Sequence, residues 1–185
     1  IIGARNCSEY GRQAAGFMGK ELARAGIQIV SGLALGIDGA GHEGALNGKG
    51  RTYGVLGCGV NICYPRSNYD LYEAIPFQGG ILSEFGPDEE PMARNFPMRN
   101  RIISGLSDVI LIMEARKKSG SLITASLGLE QGKEIFALPG RITDDLSAGC
   151  NELIQSGAGI LTSPEDVLDY MGIFHEKRCI NREKD

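Results

Sequence analysis

Short apolar runs alternate with amphipathic stretches along most of the chain. Residues 51–56 and 108–114 have the length and apolar content of buried strands, whereas residues 11–25 and 120–131 carry apolar positions at helical spacing. Glycine-rich turns separate many of these segments. Because strands that alternate with helices are typical of parallel sheets, the pattern predicts an α/β fold with a mostly parallel central sheet.

The same pattern predicts the individual elements. We expect strands at residues 28–30, 51–56, 80–84, 108–114, 134–138 and 159–161, and helices at residues 11–25, 36–46, 68–77, 99–106, 120–131, 151–156 and 163–171. We expect a long turn at residues 57–67 and a loop at residues 85–97. Ile1 and Ile2 resemble the end of a buried strand, so we expect a truncated first strand. One domain then covers residues 1–172, followed by a charged tail or linker at residues 173–185.

Composition and charge narrow the class of protein. The chain has 185 residues with 42% hydrophobic and 23% charged positions, which suits one globular domain. Its net charge of −4 argues against a wholly basic coat for nucleic acid, but it leaves room for a local cationic pocket.

Cysteine and histidine usage points to a reducing compartment without a metal site. The chain has 5 cysteines at irregular spacing, which argues against a disulfide scaffold and favours the cytoplasm. With only 2 histidines we expect no metal, and no cofactor motif indicates a bound cofactor. No apolar run is long enough to span a bilayer, so we expect no membrane partner.

Small residues follow several of the predicted strands and suggest a ligand that carries phosphate. Ligands of open parallel sheets bind beyond the carboxyl ends of the strands, where glycine lets backbone N–H groups approach a phosphate. A dinucleotide fingerprint begins at Gly57-Cys58-Gly59 but has Ile62 in place of its third glycine. Residues 44–50 contain too few positions between their glycines for a P-loop. The chain therefore matches neither of the two common nucleotide-binding motifs.

Arginines near these turns supply candidate phosphate contacts, because a guanidinium binds phosphate with two parallel hydrogen bonds. The candidate cations are Arg5, Arg66, Arg99, Arg101 and Lys118. Arg99 and Arg101 stand about 200° apart on a helix, so we expect one to brace the fold and the other to meet the ligand. Phe96 has two interpretations, a base-stacking platform or a core residue, and the core is favoured.

The segment Ser119-Gly120-Ser121 opens a predicted helix directly after a predicted central strand. It can provide a helix cap and an anion site together, and capping alone is an equally good explanation. The backbone N–H of the Gly32 turn is a further candidate donor to phosphate.

Catalytic signals are weak. Acid or base candidates exist at Asp38, His42, Glu84, Glu114 and Glu130, but the chain lacks a nucleophile elbow. Asp38 and His42 are four residues apart on one helix face, a spacing that suits a structural hydrogen bond between them. We therefore expect no conventional enzyme.

Five motifs occur in an order that is characteristic of one family. Residues 31–46, SGLALGIDGAGHEGAL, resemble the family pattern SGLAxGIDxxAHxGAL, with Gly41 in place of the usual alanine. The other four are Tyr64-Pro65 with Asn68, residues 96–107 (FPMRNRIISGLS), residues 119–125 (SGSLITA), and Pro139-Gly140 with Gly149-Cys150-Asn151. Nearly the whole chain thus resembles the DprA/Smf family of bacterial DNA-processing proteins.

The resemblance implies a fold, a function and partners. The fold would be an extended Rossmann-like three-layer sandwich. The function would be to bind single-stranded DNA, protect incoming strands and load RecA recombinase in natural transformation, as a homodimer in the cytoplasm. DNA binding in the family maps onto Arg5 and Arg66.

With the residues argued above, the expected site has two parts. The DNA- or phosphate-binding residues are Arg5, Gly32, Arg66, Arg99, Arg101, Lys118, Ser119, Gly120 and Ser121. The residues expected to brace the structure are Asp38, His42, Asn68 and Asn100.

An enzyme is the alternative. A related Rossmann-like family of nucleoside-monophosphate phosphoribohydrolases carries a PGGxGTxxE motif at a comparable helix start. Residues 119–124 read SGSLIT, without paired glycines or the matching glutamate. Nucleotide binding or phosphoribohydrolase-like activity stays as the second hypothesis.

Overall fold

Seven helices and six strands alternate along residues 1–173, the part of the chain that this computed structural model describes. The strands are β1 (Ile29–Ser31), β2 (Thr52–Val55), β3 (Gly80–Leu82), β4 (Val109–Ile112), β5 (Glu134–Ala137) and β6 (Gly159–Ile160). The helices are α1 (Glu9–Arg24), α2 (Ile37–Asn47), α3 (Tyr69–Gln78), α4 (Asn95–Leu106), α5 (Gly120–Glu130), α6 (Ala148–Gln155) and α7 (Pro164–Tyr170). The alternation confirms the predicted α/β class.

The first two residues join two parallel three-stranded sheets. One sheet has the order β1-β2-β3 and the other the order β4-β5-β6. Ile2 pairs in parallel with Ile112 of β4, and the backbone nitrogen of Ile1 donates to the carbonyl of Val30 in β1 at 3.0 Å. The chain therefore starts at the centre, builds β1 to β3 on one side and then crosses to build β4 to β6 on the other. The place where the direction reverses is the topological switch point of the fold.

Helices cover both faces of the sheet. On one face, α1, α2 and α7 pack on β4 and β5 through residues such as Leu22, Ile37 and Leu168. On the other face, Ile103 of α4 and Ala125 of α5 pack against the opposite sides of β4 and β5, together with α6. This arrangement is the three-layer sandwich expected of a Rossmann-like domain.

Two helices begin three or more residues earlier than predicted. Helix α4 starts at Asn95 rather than at residue 99, so the loop predicted for residues 85–97 is shorter. Pro97 falls in the first turn, where the backbone N–H has no helical partner and proline is tolerated. Helix α6 starts at Ala148 rather than at residue 151. The predicted loop at residues 85–97 therefore included the first turn of α4.

Helix α7 begins as the sequence predicts. Ser163 is its N-cap, Pro164 occupies its first position, and Asp166 completes a capping box with the Ser163 backbone. The boundary at residue 172 stays a prediction, and the tail predicted for residues 173–185 lies outside the described residues from residue 174 onward.

Candidate functional site

A cavity of about 690 Å³ opens at the topological switch point. Its walls are the turn after Ile2, the turn after β4 and the first turns of α4 and α5. The carboxyl ends of parallel strands meet at this edge, which is where ligands of open α/β sheets bind.

The lining of the cavity is positive although the whole chain is negative. Three arginines line it, Arg5, Arg99 and Arg116, against a single carboxylate, Asp38. Runs of acid such as Asp88-Glu89-Glu90 lie outside the lining. The net charge of −4 therefore coexists with a local cationic surface that can attract an anion.

Aromatic rings and a guanidinium form one wall. The Arg5 guanidinium carbon lies 5.3 Å from the centroid of the Phe96 ring, within the range of a cation–π contact. The Tyr64 ring lies 5.6 Å from the same centroid on a tilted plane. Phe96 is half-buried and lines the cavity, so the core position favoured for it from the sequence is wrong. Arg5, the exposed Tyr64 ring and the half-buried Phe96 ring can therefore contact a ligand in the cavity.

Arg99 is a buried brace that reaches the cavity floor. Only 3% of its surface is exposed, and its guanidinium donates to the carbonyl oxygens of Gly32, at 2.9 Å, and Val55. Burial lowers the pKa of Arg99, and the nearby Asp38 carboxylate raises it. Because these donors point at backbone carbonyls, Arg99 holds the ends of β1 and β2 in place.

Gly32 lies between this guanidinium and a carboxylate. A Cβ at Gly32 would stand 2.7 Å from Asp38 Oδ2 and 2.8 Å from Arg99 Nη2, too close for any side chain. The N–H predicted as a phosphate donor instead donates to Asp38 Oδ2 at 3.1 Å, and Gly32 is absent from the cavity lining. Burial raises the pKa of Asp38, and Arg99 together with this N–H lowers it. Glycine is needed here for close packing.

Asp38 and His42 bind separate partners rather than each other. His42 is fully buried, and its Nδ1 lies 2.7 Å from the Thr52 hydroxyl. That hydroxyl donates to the Ile29 carbonyl at 2.9 Å, so Nδ1 carries the proton that it shares with Thr52. Burial lowers the pKa of His42 to about 3 and keeps the ring neutral. The hydrogen bond expected from their spacing does not form.

Asn68 and Asn100, both expected to brace the structure, lie in different surroundings. Asn68 Nδ2 donates to the carbonyls of Leu33 and Ala34 at 3.0 Å each, and thereby ties the start of α3 to the turn after β1. This contact has the geometry of the bracing role expected for Asn68. Asn100 lines the cavity.

The start of α5 presents hydroxyl and amide groups to the cavity. Ser119, Gly120 and Ser121 all line it, and the hydroxyls of the two serines lie 2.7 Å apart. Ser119 occupies the N-cap position, but its side chain does not cap a backbone N–H as the sequence suggested. The first amides of α5 therefore keep no side-chain cap and face the cavity.

Glu114 stabilises the side of the cavity that carries Arg5. It is 1% exposed, accepts the backbone N–H of Ser8 at 2.9 Å and also accepts the Ser8 hydroxyl. The Ser8 hydroxyl in turn accepts the N–H of Gly11 at 3.1 Å. These bonds hold the beginning of α1, and with it the turn that carries Arg5, against the end of β4.

Three predicted cations lie outside the cavity. Arg101 forms an ion pair with Glu84, on a different face of α4 from Arg99. Arg66, in a short 3-10 turn, and Lys118 are exposed, and neither is part of the lining. The structure therefore gathers Arg5, Arg99 and the α5 start at one place and leaves these three apart.

The described residues contain no cluster suited to a metal or to a reactive thiol. Across residues 1–173, no group of three or more His, Cys, Asp or Glu side chains could hold a metal ion. Cys7, Cys58, Cys63 and Cys150 are free, and burial raises the pKa of each, that of Cys150 to about 12. None of the helices in this part of the chain has the length and apolar character to cross a bilayer.

Residues 1–172 match the family model described as DNA recombination-mediator protein A. The chain belongs to this family. The DprA/Smf resemblance of the ordered motifs is thus confirmed.

Curated relatives in the DNA recombination-mediator protein A family are longer than this chain. DNA processing protein DprA of Bacillus subtilis is 46% identical over 169 residues, which are 91% of this chain and 57% of the relative. Protein Smf of Escherichia coli is 48% identical over 170 residues, 91% of this chain and 46% of the relative. The chain spans about half the length of the curated relatives it matches.

Solved structures of the family share the fold. DNA processing protein A from Streptococcus pneumoniae superposes with a TM-score of 0.85 at 43% identity, over 91% of this chain and 59% of that one. The protein from Helicobacter pylori, whose structure is described in terms of its single-stranded DNA binding mode, superposes with a TM-score of 0.83 at 35% identity. The match covers 95% of this chain and 80% of that one. A molybdenum cofactor binding protein from Rippkaea orientalis is 19% identical and superposes with a TM-score of 0.65, so it shares the fold alone.

Several residues of the lining are absent from the site predicted from the sequence. Those with aromatic, cationic or hydroxyl side chains are Tyr64, Phe96, Arg116 and Thr124. Tyr64 and Phe96 belong to motifs that resemble the family, and Arg116 is a cation that follows the β4 strand. Thr124 stands one helical turn after Gly120, so helical spacing from the glycine could have found it.

Proposed function

We propose that this domain binds single-stranded DNA in the switch-point cavity. The observation that carries the proposal is the cluster in which Arg5 faces the Phe96 ring beside the uncapped start of α5. Proteins that hold single strands combine cationic grooves for the backbone with aromatic platforms for the bases. The Helicobacter pylori relative, described by its single-stranded DNA binding mode, supports the assignment.

In this proposal each part of the cavity has a role. Arg5 and Arg116 neutralise phosphates, and the start of α5 donates hydrogen bonds to them. Phe96 and Tyr64 stack on bases, a contact that every base can make, so binding tolerates many sequences. Arg99 keeps the floor in shape, while Arg66, Arg101 and Lys118, which are not part of the lining, contact strand that extends beyond the cavity.

A salt series with the Arg5→Ala/Arg66→Ala variant tests the proposal. Each lost phosphate contact should reduce the slope of log affinity against log salt by about 0.7 for a single strand. We expect the double variant to flatten the slope by about one to two units in fluorescence anisotropy with oligo-dT. Arg24→Ala, which removes a cation paired with Glu21 at the far end of α1, is the control and should keep the wild-type slope.

The single variants locate the contact. Arg5→Ala should have the larger effect because Arg5 lines the cavity and Arg66 does not. If the double variant binds oligo-dT like the wild type at every salt concentration, the cavity is not the DNA site. Double-stranded oligonucleotide of the same length should bind more weakly, because paired bases cannot stack on Phe96.

We also infer that the domain is not a conventional enzyme. The acid and base candidates Asp38, His42 and Glu114 serve backbone groups and buried hydroxyls, and Glu84 pairs with Arg101. The alternative of a nucleoside-monophosphate phosphoribohydrolase predicts release of ribose 5-phosphate from AMP. We expect none, and steady turnover that disappears in Arg5→Ala would establish the enzyme instead.

For the protein in the cell, we propose the role that the family resemblance implies. It protects incoming single strands and loads RecA recombinase in natural transformation, as a cytoplasmic homodimer. A strand-exchange assay with single-strand-binding protein present should show RecA filament formation only when the protein is added. Sedimentation of the chain should show a dimer. Filament formation at the same rate without the protein would rule out the loading role.

A further inference from the structure

We propose that the start of α5 is a pocket for a phosphate monoester, the group at the 5′ end of a DNA strand or on a free nucleotide. The inference deepens the proposed function and rests on it, because the pocket is part of the same cavity. It adds that the protein distinguishes a terminal phosphate from the phosphodiesters within a strand.

Hydrogen-bond donors converge at this point. The backbone N–H groups of Gly120 and Ser121 have no helical partner, since they belong to the first turn of a helix of 11 residues. The hydroxyls of Ser119 and Ser121 bond to each other at 2.7 Å, which leaves one of the two protons free to donate outward. Ser121 is 91% buried, so its hydroxyl is held in place rather than freely rotating in solvent.

Thr124 provides the observation that points to a ligand. Its side chain stands one turn above Gly120, is 98% buried and lines the cavity. Its hydroxyl makes no hydrogen bond to any described residue and is not enclosed by protein atoms. A hydroxyl that has no protein partner and is not enclosed can bond to a ligand. Because Thr124 lines the cavity, a ligand bound there is within reach of this hydroxyl.

The charge of the surroundings suits a strongly anionic group. Arg116 lines the cavity three residues before Ser119, and the Ser119 N–H donates to the Arg116 carbonyl at 3.0 Å in a tight turn. The positive end of the α5 dipole adds to this potential. The exposed Arg116 side chain can therefore reach a phosphate bound at the helix start.

The number of donors favours a monoester over a diester. Two amides, one serine proton and the Thr124 proton give four donors besides Arg116. A phosphodiester offers two free oxygens and one negative charge, whereas a monoester offers three oxygens and a charge of about −1.5 to −2 at neutral pH. The additional oxygen and charge make the monoester the better match for a site with this many donors.

The test compares two short oligo-dT strands that carry the same 3′ fluorophore and differ only in a 5′ phosphate or a 5′ hydroxyl. We expect the wild type to bind the phosphorylated strand about tenfold more tightly, the effect of one additional charge-assisted hydrogen bond. Thr124→Val and Ser121→Ala should each reduce this ratio to about threefold or less.

Ser126→Ala is the matched control. Ser126 lies on the same helix, is exposed, and donates its hydroxyl to the Leu122 carbonyl rather than to the cavity. It should keep the full tenfold ratio. Melting temperatures of all variants establish that they are folded, and Ser121→Ala provides a second reading if Thr124→Val does not fold.

Competition with thymidine 5′-monophosphate, with thymidine as its control, distinguishes the two sources of the group. A pocket for strand ends gives a tenfold ratio between the strands and weak competition by the monophosphate. A pocket for free nucleotide gives strong, Thr124-dependent binding of the monophosphate and equal affinity for both strands.

The negative results also separate the two proposals. Equal affinity for both strands together with no binding of the monophosphate overturns the pocket and leaves DNA binding intact. Failure to bind either strand overturns the proposed function itself.

Discussion

Replacing Arg99 with methionine tests whether this arginine supports the cavity floor or binds the ligand itself. Methionine has a similar length and is apolar, so the variant fills the space and removes only the charge and the donors. In the wild type the guanidinium serves the carbonyls of Gly32 and Val55 and faces the buried Asp38. The variant leaves two buried acceptors without donors and a buried carboxylate without its counter-charge.

The expected loss follows from these contacts. A hydrogen bond from a charged donor contributes about 1.5–3 kcal/mol, so losing the two from Arg99 costs about 3–6 kcal/mol, out of a total free energy of unfolding of about 5–15 kcal/mol. For a domain of this size, each kcal/mol lowers the melting temperature by about 2–4 °C. We therefore expect Arg99→Met to melt about 10 °C or more below the wild type in calorimetry.

The Asp38→Asn/Arg99→Met double variant is the control for the charge. It removes the unpaired carboxylate, so it should recover part of the loss and show that the two sites are coupled. The bracing role of Arg99 would be refuted by a result for the single variant. If Arg99→Met melts like the wild type but no longer binds oligo-dT, Arg99 contacts DNA directly and the floor does not depend on it.

Two further predictions concern buried contacts near the site. A Cβ at Gly11 would stand 2.3 Å from the Glu114 carboxyl carbon. Gly11→Ala should therefore lower the free energy of unfolding by about 1–3 kcal/mol in guanidinium titration. Gly16→Ala on the same helix is the control and should be neutral or stabilising, because its Cβ would stand 3.7 Å from the nearest atom. Because the pKa of His42 falls from 6.5 in the unfolded chain to about 3 in the native state, its contribution is fully present above pH 6.5 and declines by about 1.4 kcal/mol per pH unit below it. His42→Asn, which keeps a donor for Thr52, should flatten that decline in unfolding measured from neutral to acid pH, and an unchanged slope would show that His42 is not the group that titrates.

Sequence patterns predicted most of the fold because they are local. Strand β4 forms where the longest apolar run predicted it, and α7 begins at Pro164, within one residue of its predicted start. The prediction failed at the start of α4, where Pro97 was interpreted as part of a loop although the first turn of a helix accepts proline. The ordered motifs also led to the correct family.

The site could be predicted only in part, since a turn does not reveal which other turn it meets. Arg5 and Ser119-Gly120-Ser121 were expected at strand ends, and the parallel order of the sheet brings them into one cavity. Phe96 was assigned to the core because an isolated aromatic residue is usually buried. Its position beside Arg5 depends on how α4 packs across the sheet, which no local pattern contains.

Arg99 and Arg101 show where the limit lies. The sequence alone determined the α/β class, the family, and the fact that two arginines two residues apart on a helix must face different directions. Only the tertiary structure decided that Arg99 is the buried one, with Gly32 and Val55 as acceptors, and that Arg101 pairs with Glu84 outside the cavity. The physical reason is that helical spacing sets the angle between side chains, whereas the packing of α4 against the ends of β1 and β2 sets which of them leaves the solvent.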